Sequence, residues 1–300
     1  MAVQHAYTAT IYVINKALRI RGENEKPEEV LISGMHYKRP VMIDHAGAWV
    51  SGMTLDGGST DRGGANVLIG SRGGTVSNCV IRGGNISNYG QGAAAYLGGK
   101  DALLTHCVVT NNWASTSDGE NNRAILYMVG GRIENCLVAG NFINASDPVA
   151  NGGSVVNMLA GGSLRNNTIA NNMGVARGVV AAAAGTVVEH CVIAGNTLGA
   201  TGGPAFIGAG SYANNTVDDP TRAGLCRVSE PHVIFQNFDK ADYQLGPDSP
   251  AVNTGPRASE GDIKNAGIDL IGNPRIRCLR LDDGCYESRF GGGGTLLMVR

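Results

Sequence analysis

One short phrase, built around a cysteine or an asparagine, returns along this chain and limits its fold more than any other feature. It reads GGTVSNCVIRGG around Cys79, DALLTHCVVTNN around Cys107, GGRIENCLVAGN around Cys136 and GGSLRNNTIANN around Asn167. It continues as AGTVVEHCVIAGN around Cys191 and AGSYANNTVDD around Asn215, and a degenerate copy, WVSGMTLDGG, centres on Met53. An apolar residue stands three places before the centre in each copy (Val50, Val76, Leu104, Ile133, Leu164, Val188, Tyr212), and an aliphatic two places after it (Leu55, Ile81, Val109, Val138, Ile169, Ile193, Val217). The centres lie 26, 28, 29, 31, 24 and 24 residues apart. A period in the twenties with one variable stretch is the mark of a solenoid.

Each repeat carries a second apolar run before the next glycine pair: NVLIG, AAAYLGG, ILYMVGG, VVNMLAGG, VVAAAAG and AFIGAG. Such short runs between Gly and Asn favour strands over helices. The 45 glycines argue the same way, because a helical solenoid would not tolerate them. The three-residue step from the first aliphatic to the Cys or Asn breaks strand alternation, which puts a corner there with both side chains inward. Each turn therefore reads as strand, corner, short strand, variable loop and strand. The leucine-rich repeat is excluded, since its LxxLxL phrase is missing.

Stacking at about 4.8 Å per turn sets equivalent residues in columns. A thiol column of Cys79, Cys107, Cys136 and Cys191, with Asn167 and Asn215, fills a tight corner, where Asn bonds backbone and its neighbours along the stack. The trailing Asn112, Asn141, Asn172 and Asn196 are expected to serve the next corner, where Asn tolerates left-handed backbone. Regular spacing favours packing over a metal site or a set of nucleophiles. By the same logic His106 and His190 read as surface members of a column otherwise made of Asn78, Asn135, Asn166 and Asn214.

The whole pattern resembles the right-handed parallel β-helix of the pectin-lyase-like superfamily, an all-β fold expected here to have about nine turns. The end of the chain adds to the likeness. ADYQLGPDSPAVNTG, GIDLIGNPRI and DDGCYES resemble the closing segment of secreted bacterial β-helix proteins. Residues 1–235 are accordingly read as the helix with its opening turns, and 236–300 as a closing cap. Cys278 and Cys285 in this segment leave a disulfide open.

The resemblance implies a polysaccharide ligand lying along one parallel face, and a secreted or cell-surface location. The first twenty residues lack a leader peptide's basic start, apolar run and cleavage site. Net charge is −1, from 24 basic and 25 acidic residues, and no basic stripe runs through the repeats, which argues against nucleic acid. No run is long and apolar enough to be a membrane span. No cofactor is evident and no metal set is assigned; calcium has no motif to support it.

The fold's hydrolases carry Gly-His-Gly and Arg-Ile-Lys phrases, and neither occurs here. Asp218 and Asp219, lacking those companions, read as the start of a turn before Pro220. The longest insertions, WASTSDGENNR at 113–123, FINASDPVANGG at 142–153 and MGVAR at 173–177, stack as neighbours. They bring Trp113, Phe142, Arg123 and Arg177 to one side as carbohydrate-binding candidates, with Asp118, Glu120 and Asp147 as catalytic candidates. Aromatic rings stack on sugar faces and carboxylates accept from hydroxyls, while a suitably spaced carboxylate pair can cleave a glycosidic bond. Three readings follow: a polysaccharide binder, a lyase or glycoside hydrolase, and a non-catalytic structural or adhesive rod.

Overall fold

The computed structural model describes residues 10–86, 91–116, 124–145, 153–175, 177–198, 203–257, 267–276 and 280–290. Three sheets built almost wholly of parallel pairs run along the stack. The first takes the second apolar run of each repeat, from Thr10–Ile14 and Arg39–Ile43 to Phe206–Ile207. The second takes the Cys/Asn phrase, with one strand on each side of the corner. The third contains Ser59–Thr60, Asn85–Ile86, Trp113–Thr116, Phe142–Ala145, Met173–Val175 and Thr197–Leu198. Its strands coincide with the starts of the stretches expected to be loops, so the side on which the binding candidates lie is partly a sheet. Six turns carry all three strands, with partial turns at each end, against the expected nine.

The interior is a set of in-register columns. Ile43, Ile69, Leu97, Met128, Met158 and Ala182 line the first sheet. Leu55, Ile81, Val109, Val138, Ile169, Ile193 and Val217 line the second. All are buried in one continuous cluster. At about 1.5 to 3 kcal/mol for each buried aliphatic, these columns are the main source of cohesion.

Corner geometry explains the polar residues. The residue before the column centre is left-handed in every repeat: Gly52, Asn78, His106, Asn135, Asn166, His190 and Asn214 have φ between 44° and 68°. Asn, like Gly, reaches this region at little cost, which accounts for its recurrence. At the second corner the left-handed residues are Gly57, Gly83, Asn111, Gly140, Asn171 and Gly195. This corrects the expectation for the trailing asparagines by one place. Asn112, Asn141 and Asn172 instead point inward as a buried ladder, each donating from Nδ2 to the next Oδ1 at 3.0, 2.8 and 2.8 Å, ending on Asn196. The same side chains bond backbone: the Oδ1 of Asn141 and Asn172 accept from the amides of Asn112 and Asn141, and the Nδ2 of Asn112, Asn141 and Asn172 donate to the carbonyls of Ile81, Val109 and Val138.

The ladder's start is improvised. Its position in the preceding turn is Gly84, and the side chain of Asn66, from the far side of the turn, fills the space. Asn66 Nδ2 donates to Asn112 Oδ1 at 3.1 Å, and a Cβ on Gly84 would come within 2.5 Å of that amide nitrogen.

The closing segment does its covering from the side. Ala139, Ala170 and Ala194 are outward neighbours on successive second-sheet strands, and their small size leaves a shallow bed. Tyr243, Leu245 and Ala251 sit on it together with Ile234 and Phe235 from just before position 236, and Phe235 and Tyr243 meet edge-on at 5.4 Å. At the end of the stack, the Arg222 guanidinium lies 5.9 Å over the rings of both Phe206 and Tyr212.

Candidate functional site

The third sheet presents an outward row: Ser59, Asn85, Trp113, Phe142, Met173 and Thr197 stand in register on consecutive turns. Inward residues alternate with them, namely Thr60, Ile86, Ala114, Ile143 and Leu198, all buried. Period-two alternation therefore fixes which side chains face out. Trp113 is 46% exposed and Met173 47%. The rings of Trp113 and Phe142 are in tilted contact, with centroids 4.3 Å apart and planes 37° from parallel. Gly174 interrupts the inward column because its φ is +119° and a Cβ there would lie 1.9 Å from the Ile143 carbonyl oxygen.

Of the residues singled out in the sequence, Trp113 and Phe142 come together on this ridge. Arg177 is exposed, and its backbone amide donates to Gly153 O at 3.0 Å. Arg123, Asp118, Glu120 and Asp147 lie outside the described residues.

At the C-terminal end of the ridge, past Thr197, a cleft of about 450 Å³ is lined by Asn196, Gly203, Pro204, Asp218, Asp219, Pro220 and Thr221. Its two carboxylates are tied down. Asp218 Oδ2 accepts from Gly195 N at 2.6 Å; Asp219 accepts from Ala205 N and from both the backbone amide and the hydroxyl of Thr221. Burial pushes the Asp218 carboxyl up. Burial acts the same way on Asp219, but the Thr221 and Ala205 bonds and Arg222 outweigh it and hold that carboxyl below the usual range. Asp219 caps the short helix Pro220–Arg222, in line with a turn-starting role.

A second recess escaped the sequence reading. Arg19, Ile20, Arg21, Glu25, Trp49, Ser51 and Ser77 enclose about 330 Å³ on the second sheet near the first turns. The Arg19 guanidinium lies 5.2 Å over the Trp49 ring, whose Nε1 donates to Ser77 Oγ at 2.7 Å. The signal was present in WVSGMTLDGG, where Trp49 occupies an outward strand position taken by Thr75, Leu103 or Arg132 in other turns.

The column thiols are built for packing. Burial pushes Cys107 well above its ordinary value and Cys191 to about 12, so neither is a ready nucleophile. The two histidines hold the closing segment. His106 Nε2 donates to Ile268 O at 2.8 Å while its Nδ1 faces the Thr105 hydroxyl, and His190 Nδ1 meets Asp283 Oδ1 at 3.2 Å. Asp283 is fully buried and also takes Thr216 Oγ1 and the Arg227 guanidinium. Cys285 is a buried free thiol whose amide donates to Thr168 Oγ1; Cys278 lies outside the described residues.

Among the described residues no group of three or more His, Cys, Asp or Glu is placed to hold a metal ion, and no helix is long and apolar enough to cross a membrane. Fold and surface together define the class: an all-β parallel solenoid with an exposed aromatic ridge. Comparison with family models, curated proteins and solved structures finds no match to this chain.

Proposed function

We propose that this protein is an extracellular or surface-associated β-solenoid of the pectin-lyase-like kind that binds polysaccharide along the third-sheet ridge. The observation that carries the reading is the exposed Trp113 indole in tilted contact with Phe142 on the outside of the third sheet. Half an indole in water is a cost that a stacked sugar face relieves. The row beside it offers amide and hydroxyl groups at Asn85 and Ser59, suited to sugar hydroxyls. Sheet strands hold such groups with less play than loops do.

Cleavage is the stronger form of the proposal. Asp118, Glu120 and Asp147 follow the ridge strands in sequence and are the carboxylates to test. The rival reading, a structural or adhesive rod, is favoured by the asparagine ladder, which spends the stack's most regular polar residues on internal cohesion.

The test is incubation of the protein with acidic and neutral polysaccharides, with and without calcium, scoring both retention and new chain ends. Retention that weakens about tenfold in Trp113→Ala supports a binder. New chain ends that vanish when Asp118, Glu120 and Asp147 are changed to Ala make it an enzyme. Neither retention nor cleavage leaves the rod.

A further inference from the structure

Building on the reading that the ridge binds glycan, we infer that it takes one uncharged pyranose ring at a time, on the single face of Trp113 that looks toward Asn85. Stacked rings on consecutive turns do not form a flat platform. At a centroid distance of 4.3 Å, the Trp113 face toward Phe142 is already covered, and Phe142 in turn is followed by Met173. Among the described residues, the opposite face of the indole is the one left open to a ligand.

That face ends in a step. The next two residues of the row, Asn85 and Ser59, are much shorter than tryptophan, and two rows at about 4.8 Å each leave a tread roughly 10 Å deep in front of the indole riser. One sugar ring fits that depth. Its C–H face lies against the indole, and its hydroxyls meet the Asn85 amide and the Ser59 hydroxyl, which supply donors and acceptors together.

The six residues of the row, Ser59 to Thr197, carry no charge. Arg82, at the edge of the neighbouring sheet, is engaged with Asp56 at 3.5 Å. Among the described residues the row itself offers no cation, and Arg62, which follows the Ser59–Thr60 strand, is exposed to water, so a carboxylated sugar would lose its own water for a screened contact at best and the ridge favours neutral residues. Phe142 is then a positioning residue that holds the indole upright.

The experiment is calorimetric titration of the whole protein with neutral β-linked hexasaccharides (of glucose, xylose and mannose) and with hexagalacturonate. Four variants are compared: Trp113→Ala, Asn85→Phe, Asn85→Ala and Phe142→Leu. Asn85→Phe places a ring against the open face while keeping the tryptophan. We expect a neutral hexasaccharide to bind best, about tenfold loss in Trp113→Ala and in Asn85→Phe, and about threefold or less in Asn85→Ala and Phe142→Leu. Binding that Asn85→Phe leaves intact while Trp113→Ala abolishes it overturns the one-face inference, and the ridge reading survives. Tightest binding of hexagalacturonate overturns the neutral class. Indifference to Trp113→Ala, or no binding of any sugar by the parent protein, overturns the ridge reading and the inference together. Thermal unfolding of each variant separates loss of the site from loss of the fold.

Discussion

The solenoid and the segment laid along its flank are held by opposite means. Inside the stack, one solution is repeated: an aliphatic column, a left-handed corner and an amide that bonds the same atoms one turn on. On the flank nothing repeats. Asp269 accepts from the amides of Ile271, Asn273 and Glu287; Arg275, 1% exposed, donates to Gly284 O and Asp282 O; Asp283 joins His190, Thr216 and Arg227. Repetition makes each contact cheap to specify and shares strain over neighbours. A one-off buried ionic network is costly to desolvate and depends on every partner being present.

The two regions should therefore fail differently. The largest effect is expected from Asn141→Ala, which deprives Asn112 N, Asn112 Nδ2, Val109 O, Ala139 O and Asn172 Oδ1 of a partner at once. At about 1 to 3 kcal/mol for each buried group left unsatisfied, partly relieved by water, a loss of about 4 kcal/mol should appear in denaturant unfolding as one cooperative transition. A loss under 1 kcal/mol would mean the ladder is ornamental.

Asp283→Asn comes next. Removing the charge that faces Arg227 and His190 should cost about 3 kcal/mol, and it should free the flank before the stack unfolds. Limited proteolysis or hydrogen exchange would then find residues 267–290 open while the second sheet stays protected. Simultaneous loss of both would show that flank and stack are one cooperative unit.

Acidity separates the regions further. Burial, helped by Asp282 and Asp269 and opposed by Arg275, pushes Glu287 up to about 8 from an unfolded value near 4.5. Between those values the folded protein holds a proton that the unfolded chain has released, so stability falls as pH rises through this window. From pH 5 to 7 the fall assigned to Glu287 is about 2 kcal/mol, and Glu287→Gln should flatten it. An unchanged slope in that variant would move the titration to another group.

The smallest structural effect belongs to the ridge. Trp113→Ala removes one exposed stack, worth about 1 kcal/mol, and should leave unfolding nearly unchanged while removing sugar retention. A large loss of stability would class Trp113 with the packing residues.

How much of this was readable beforehand follows the same division. The Cys/Asn phrase at intervals of 24 to 31 residues was enough for the parallel stack, the inward columns and the structural use of the thiols. The left-handed corner was misplaced by one residue, because Asn-Asn pairs such as Asn111 and Asn112 do not say which member bends and which points in. The bed of Ala139, Ala170 and Ala194 stands at one repeat position, but its occupants, Ile234 to Ala251, lie beyond the repeats and carry no periodic signal. Asn66 standing in for a missing side chain at Gly84 had no local signal at all.

Periodic information is local: a strand's alternation and a corner's backbone depend on neighbours within one turn, and identical turns stack by themselves. The sequence alone thus determined the solenoid, its columns and the placing of Trp113 and Phe142 on one side. Only the tertiary structure decided that these two rings cover one another and leave a single free face, that the closing segment covers the flank through His106 and His190, and that Asp283 is buried between Arg227 and His190. Those outcomes depend on distances between residues far apart in the chain, which no repeat encodes.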